Sequence, residues 1–133
     1  PIAPLRDIVS ERPAGRRLAG LDIGTKTMGV ALSDPLHSIA TPLRLIERTK
    51  FTADIRLLDA VIKEYAVAGF VLGYPLNMDG SEGPRCQAVR HFAQEMARHP
   101  EIFGPDPWIA LWDERLSTAA VDRFMIEEVD MSR

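Results

Sequence analysis

The chain has 133 residues and a mass of 14.8 kDa, which is enough for one domain with one hydrophobic core. Sixteen Lys and Arg against nineteen Asp and Glu give a formal net charge of −3, which excludes a histone-like protein that binds nucleic acid through overall positive charge. The single cysteine, Cys86, excludes a disulfide framework and a multi-cysteine zinc site. The apolar runs are too short for a membrane span of about 20 residues, so we expect a small cytoplasmic protein.

The first half of the chain predicts a leader and three strands. Residues 1–15 contain three prolines and no sustained periodicity, which predicts a loose leader before a domain over 16–133. Apolar runs predict strands at 17–23, 28–32 and 39–46, and the short turn between the first two favours a hairpin.

The second half alternates helices with strands. The pattern predicts helices over 51–65 and from Pro84 onward, strands over 67–73 and 108–112, and a last helix from Ser117 or Thr118 through Val129. The order β-β-β-α-β-α-β-α predicts an α/β fold with a mixed five-stranded sheet. Its first three strands form an antiparallel meander, its last two are parallel to their neighbours, and helices pack on both faces.

Asp22 stands out because it lies among the apolar residues of a predicted central strand. A buried carboxylate without a partner is costly, so its presence needs a reason. Asp22 could cap the hairpin turn by accepting hydrogen bonds from backbone N–H groups. Alternatively it is a metal ligand at the end of the strand, with Lys26 nearby to meet an anion.

A second acidic cluster, Asp113-Glu114-Arg115, follows the last predicted strand. The C-terminal edge of parallel strands is where open α/β sheets bind ligands. Glu114 could pair with Arg115 or stabilise the following helix N-terminus. Together with Asp22 at the same edge, it could instead share a divalent cation such as Mg²⁺.

The third element is the loop from Gly73 to Arg85. Gly80, Ser81 and Gly83 lead into a predicted helix N-terminus, where backbone N–H groups form an anion site to which Arg85 adds charge. The loop lacks the Gly-Lys-Ser/Thr ending of a nucleotide P-loop. A polynucleotide phosphate is therefore as good a ligand for it as a free nucleotide, and a plain surface connection is the alternative.

The motifs at 22–34, 73–81 and 113–118, in this order, resemble the YqgF (RuvX) family. Its members have an RNase H-like fold and are described as Holliday-junction resolvases or pre-16S rRNA nucleases. The resemblance implies a nuclease that depends on Mg²⁺ or Mn²⁺ and acts in 5′-end maturation of 16S ribosomal RNA, with branched DNA as another substrate. It also implies that Asp22 and Glu114 are the first two catalytic, metal-holding acids.

From the residues themselves we add a phosphate-contacting set: Lys26, Gly80, Ser81, Arg85 and Arg115. The family also has a further C-terminal helix with a third catalytic Asp, and we expect the chain to lack that helix. A non-catalytic nucleic-acid-binding module of the same fold is therefore an alternative. Asp22-Ile23-Gly24-Thr25 also resembles the first phosphate motif of actin-like and sugar-kinase ATP-binding domains, although those proteins use two such domains.

Overall fold

The computed structural model describes residues 1–116, and the helix predicted from Ser117 or Thr118 lies outside them. Six strands form one sheet: β1 (Ile2–Pro4), β2 (Arg17–Ile23), β3 (Thr27–Ser33), β4 (Ala40–Glu47), β5 (Val67–Tyr74) and β6 (Ile109–Asp113). The α-helices of this part of the chain are α1 (Leu5–Ile8), α2 (Phe51–Tyr65), α3 (Pro84–Ala97) and α4 (Pro100–Phe103). None of them is long and apolar enough to cross a bilayer.

The sheet has the strand order β1-β6-β5-β2-β3-β4. Strands β2, β3 and β4 form the predicted antiparallel meander, while β5 runs parallel to β2 and β6 parallel to β5. The edge strand β4 carries Pro42, as expected of a proline that cannot donate to a strand partner. The mixed sheet predicted for an RNase H-like fold is therefore confirmed.

The prediction of a loose leader at 1–15 and of five strands is wrong. Residues 2–4 form a sixth strand, which runs parallel to β6 with Ile2 opposite Ile109. The Trp108 indole N–H donates to the carbonyl of Ile8 at 3.0 Å, and Ile8 is itself buried. A three-residue strand is too short to show alternation in sequence, but it covers the edge of β6 that would otherwise be open.

The main core lies on one face of the sheet. Every second residue of β2 and β3 is buried there, and these residues share one cluster with Leu58 of α2 and Val89 of α3. Because strand residues alternate between faces, the residues between them point to the other side. Asp22 is one of these, which makes it exposed although both of its chain neighbours are buried.

The opposite face is covered at one end by α1, whose Ile8 packs with Leu18 and Trp108 in a second, smaller cluster. Helices therefore lie on both faces, but the two predicted helices in the described residues, α2 and α3, share the main-core face, and α1 on the other face was not predicted. This face also carries an open groove of about 650 Å³, which is lined by small residues such as Gly20 and Gly73. Asp22 lines the groove, so the backbone around this carboxylate is accessible.

Candidate active site

The strand register brings Asp22 and Glu114 to one edge of the sheet. Leu21 on β2 pairs with Leu72 on β5, and Gly73 pairs with Trp112 on β6. Residue 73 therefore lies between the end of β2, which carries Asp22, and the end of β6, after which Glu114 follows. The expectation of a buried Asp22 is not met, because alternation along β2 places it on the face away from the main core.

Glu114 lies directly against the backbone of Gly73. A Cβ atom on residue 73 would overlap the carboxylate of Glu114 and stand 3.1 Å from its Cδ. The glycine thus leaves the space that the Glu114 side chain occupies. In sequence the only sign of this role is a glycine at the second-last position of an apolar strand.

The surroundings of Glu114 change its proton affinity. Loss of hydration against the strand ends raises its pKa, the negative charge of Asp22 raises it further, and the positive charge of Arg85 opposes both. Asp22, Glu114 and Arg85 are therefore close enough to interact electrostatically. Two carboxylates and one guanidinium in a shared field form the centre of the candidate site.

These residues fit a divalent cation. Within residues 1–116 there is no group of three or more His, Cys, Asp or Glu side chains arranged to hold a metal ion. Mg²⁺, however, retains several waters and is commonly held by one or two carboxylates together with substrate phosphates. The mutual repulsion of Asp22 and Glu114, visible in the raised pKa of Glu114, is what a cation between them would relieve.

Lys26 lies on the β2–β3 turn, and its side chain is exposed. Arg48 holds this turn in two ways. Its guanidinium donates to the carbonyl of Gly24, and its backbone N–H donates to the carbonyl of Lys26 at 2.8 Å. The guanidinium lies over the Phe92 ring, 5.5 Å from its centroid. No sequence motif marks Arg48, so its role was not predicted.

The loop between β5 and α3 uses its own backbone donors. The N–H of Gly80 donates to the carbonyl of Asn77 at 2.8 Å, and the N–H of Ser81 donates to the Asp79 carboxylate at 2.9 Å. The expected phosphate cradle of N–H groups is therefore already satisfied at these two positions. Gly80 has a φ of +88°, so the turn itself favours glycine.

Arg115 ties this loop to the end of β6. Its guanidinium donates to the Asp113 carboxylate at 2.8 Å, its backbone N–H donates to the same side chain at 2.9 Å, and this pairing lowers the pKa of Asp113. A Cβ on Gly80 would stand 3.2 Å from Nη1 of Arg115. Asp113 is thus a positioning partner of Arg115, a role that its sequence context does not indicate.

The family described as "RuvX: Holliday junction resolvase" matches residues 16–133. The chain belongs to this family. The three motifs at the sheet edge lie inside the matched region, so the resemblance drawn from them is confirmed, and with it the assignment to a family of nucleases, which hydrolyse phosphodiester bonds.

Curated relatives share about half of their residues with this RuvX family member. A protein of Rhodospirillum rubrum named "Putative pre-16S rRNA nuclease" is 50% identical over 133 residues, which cover 100% of this chain and 80% of that protein. Proteins with the same name from Rhodopseudomonas palustris and Rhodospirillum centenum are 53% and 50% identical, and the matches cover 79% and 66% of their lengths. The chain therefore spans two thirds to four fifths of these relatives.

Among solved structures, RuvC of T. thermophilus in complex with a Holliday junction substrate is similar to this chain with a TM-score of 0.48 and 9% sequence identity. That match covers 74% of this chain and 63% of RuvC.

Proposed function

We propose that this protein is a metal-dependent nuclease that hydrolyses phosphodiester bonds in precursor 16S ribosomal RNA during 5′-end maturation, in the cytoplasm. The observation that carries the proposal is the placement of Asp22 and Glu114 on either side of Gly73 at one sheet edge, close enough for the charge of Asp22 to raise the pKa of Glu114. The names of the relatives support precursor rRNA as the substrate. The description of the family supports branched DNA as another.

Asp22 and Glu114 would hold a Mg²⁺ or Mn²⁺ ion. When bound, such an ion lowers the pKa of water and stabilises negative charge on the scissile phosphate. Both carboxylates must be ionised to act as ligands, and Arg85 favours that state at Glu114. Gly73 keeps Glu114 within reach of Asp22 because no side chain intervenes.

The exposed cations around this pair would position the nucleic-acid backbone. Lys26 is exposed on the β2–β3 turn, and Arg85 lies in the first turn of α3, where its charge acts on Glu114. Gly80, Ser81 and Arg115 would form the neighbouring wall, with the Ser81 side chain and the outer edge of the Arg115 guanidinium as contacts. Contacts of this kind hold the backbone and carry little base information, so substrate choice would follow from nucleic-acid shape.

The deciding experiment measures Mn²⁺-dependent cleavage of a precursor 16S rRNA fragment and of a four-way DNA junction. Asp22→Asn should abolish cleavage of both without unfolding the protein, because Asp22 is exposed and makes no core contact. Glu64→Gln removes an exposed acid on α2, away from the sheet edge, and is the matched control. Undiminished cleavage by Asp22→Asn would overturn the proposal.

A second candidate is a nucleic-acid-binding module that does not cleave. It is favoured by one observation: residues 1–116 contain no third metal-ligating side chain beside Asp22 and Glu114. The same experiment separates the two functions. Metal-independent binding of the rRNA fragment, with no cleavage in Mg²⁺ or Mn²⁺, identifies the binding module.

A further inference from the structure

A second cavity, of about 540 Å³, opens at the same end of the sheet as the candidate active site, on the face that α3 covers. One of its walls is formed by Ile2, Pro4 and Arg6 of β1 and α1. These residues precede the region matched by the family, which begins at residue 16. The N-terminal segment therefore adds a wall to a cavity whose other side includes Arg115, the residue next to Glu114.

The cavity combines an apolar floor with a cationic rim. Ile2, Leu76 and Leu111 line the floor beside the buried ring of Tyr74. Three guanidinium groups and two carboxylates lie around them, which leaves one positive charge in excess: Arg6, Arg90 and Arg115 against Glu82 and Asp113. A ligand that fits needs a negatively charged end and a flat apolar part.

The three arginines differ in how far they are already engaged. Arg90 donates to the Tyr74 hydroxyl at 2.7 Å and pairs with Glu82. Arg115 is held by Asp113, as described above.

Arg6 is the least engaged of the three. Among residues 1–116, the only carboxylate within 4.0 Å of its guanidinium is that of Asp7, at 3.8 Å, and the side chains of Arg6 and Asp7 are 86% and 58% exposed. A solvated pair at this distance is weak, so Arg6 is the cation best able to bind an incoming anion.

We propose that this cavity binds one nucleotide of the nucleic-acid substrate beyond the scissile bond, with its phosphate at Arg6 and its base on the apolar floor. A volume of about 540 Å³ lies within the range of about 300–1,000 Å³ typical of small-ligand sites. Cations that follow the backbone beside apolar or aromatic surface that receives a base are the usual elements of a single-strand binding site. The proposal takes its ligand from the proposed function, but it requires binding only and not cleavage.

The test measures binding of a fluorescently labelled single-stranded RNA from the 16S precursor by anisotropy, in EDTA so that no cleavage occurs. Arg6→Gln should weaken binding about fivefold and reduce the slope of log Kd against log salt by about 0.7, the value for one phosphate contact on a single strand. Leu76→Ala removes apolar surface from the cavity without changing charge. It should weaken binding about tenfold through loss of base contact, with the salt slope unchanged.

Arg56→Gln is the matched control, because Arg56 is an exposed arginine on α2 that does not line the cavity. It should bind the RNA like the wild type. Wild-type affinity of either Arg6→Gln or Leu76→Ala would overturn the proposal, as would an equal loss in Arg56→Gln, which would indicate a general charge effect. RNA binding that responds to these variants, in a protein that cleaves nothing in Mn²⁺, would reject the nuclease function and leave the cavity assignment standing.

Discussion

The carboxylate of Glu114 occupies the space in which a side chain on residue 73 would lie. Residue 73 is the second-last residue of β5, between β2 and β6, so this contact fixes how closely Glu114 can approach Asp22 across the strand ends. The backbone of one strand thereby sets the geometry of two carboxylates that belong to its neighbours. A change at a position with no functional group of its own is expected to affect the chemistry.

Gly73→Ala tests this dependence. The added methyl group would overlap the Glu114 carboxylate and push it away from Asp22, and a displacement of about 1 Å at a reacting centre costs about 100-fold in rate. We expect a loss of this size in Mn²⁺-dependent cleavage, with only a small change in melting temperature.

Gly20→Ala on β2 is the matched control for Gly73→Ala. A Cβ there would face the same groove but stand 3.9 Å from the Ala31 Cβ and 4.0 Å from the Val71 carbonyl, which are ordinary contacts. It should therefore leave cleavage near the wild-type rate. Equal activity of the two alanine variants would contradict the role given to Gly73.

The pH dependence of cleavage should report on Glu114. Its pKa is raised, and only its ionised form can hold a cation, so activity should fall as the pH drops through that raised pKa. Arg85 lowers this pKa. Arg85→Gln should therefore raise it and move the acidic limb of the pH–rate profile to higher pH.

If Arg85 only bound substrate, Arg85→Gln would raise KM and leave the acidic limb of the pH–rate profile in place. An unmoved acidic limb would thus count against the electrostatic coupling of Arg85 to Glu114. Arg98→Gln, which removes another arginine near the far end of α3, is a suitable control for the loss of positive charge.

The same raised pKa makes a prediction about stability without metal. A group whose pKa is raised on folding stabilises the protein below its unfolded pKa, and this contribution is lost as the pH rises through the folded value. At neutral pH in EDTA the Glu114 charge is therefore unfavourable, and Glu114→Gln should melt at a higher temperature than the wild type. The melting temperatures of the two proteins should converge at acidic pH.

With added Mn²⁺, the wild type should melt at a higher temperature than Glu114→Gln, the reverse of the order in EDTA. At ten times its Kd, a ligand that binds only the folded state stabilises it by about 1.4 kcal/mol. For a domain of this size, that raises the melting temperature by about 3–6 °C. The wild type should show this rise, and Asp22→Asn and Glu114→Gln should not. A metal-induced shift that survives in both variants would place the ion elsewhere.

Much of the sheet could be predicted from the sequence because its signals are local. β2 has the predicted bounds, and β3, β4, β5 and β6 each differ from the prediction by a residue or two at their ends. The alternation of apolar residues and the change to helical spacing after Phe51 are properties of adjacent residues, which a sequence displays directly. The common edge of Asp22 and Glu114 followed from strand order, because parallel strands end on the same side.

What sequence could not show depends on contacts between distant residues. β1 exists because β6 offers it an open edge about a hundred residues later. The backbone donors of Gly80 and Ser81 are satisfied by Asn77 and Asp79, a matter of turn geometry rather than of composition. Arg48 and Gly24 are 24 residues apart in the chain, and the pairing of β4 with β3 brings them together.

Arg48 also has a structural partner, and this pair gives a prediction on stability. Asp54 is 1% exposed, its Oδ2 atom makes no hydrogen bond within the part of the chain that the structure describes, and the Arg48 guanidinium lies 3.8 Å from that atom. Arg48→Ala would leave this carboxylate buried without its cation and release the carbonyl of Gly24. We expect a loss of about 2–3 kcal/mol in the free energy of unfolding, measured by urea denaturation.

Two further variants distinguish the lost pairing from the loss of any arginine. Arg44→Ala removes an exposed arginine from the same strand, β4, and should shift the urea midpoint little. Arg48→Ala combined with Asp54→Asn removes the buried charge along with its partner, so the double variant should be less destabilised than the sum of the two single variants. Strict additivity would show that Arg48 and Asp54 do not interact, and the loss in Arg48→Ala would then come from its side-chain bond to the carbonyl of Gly24.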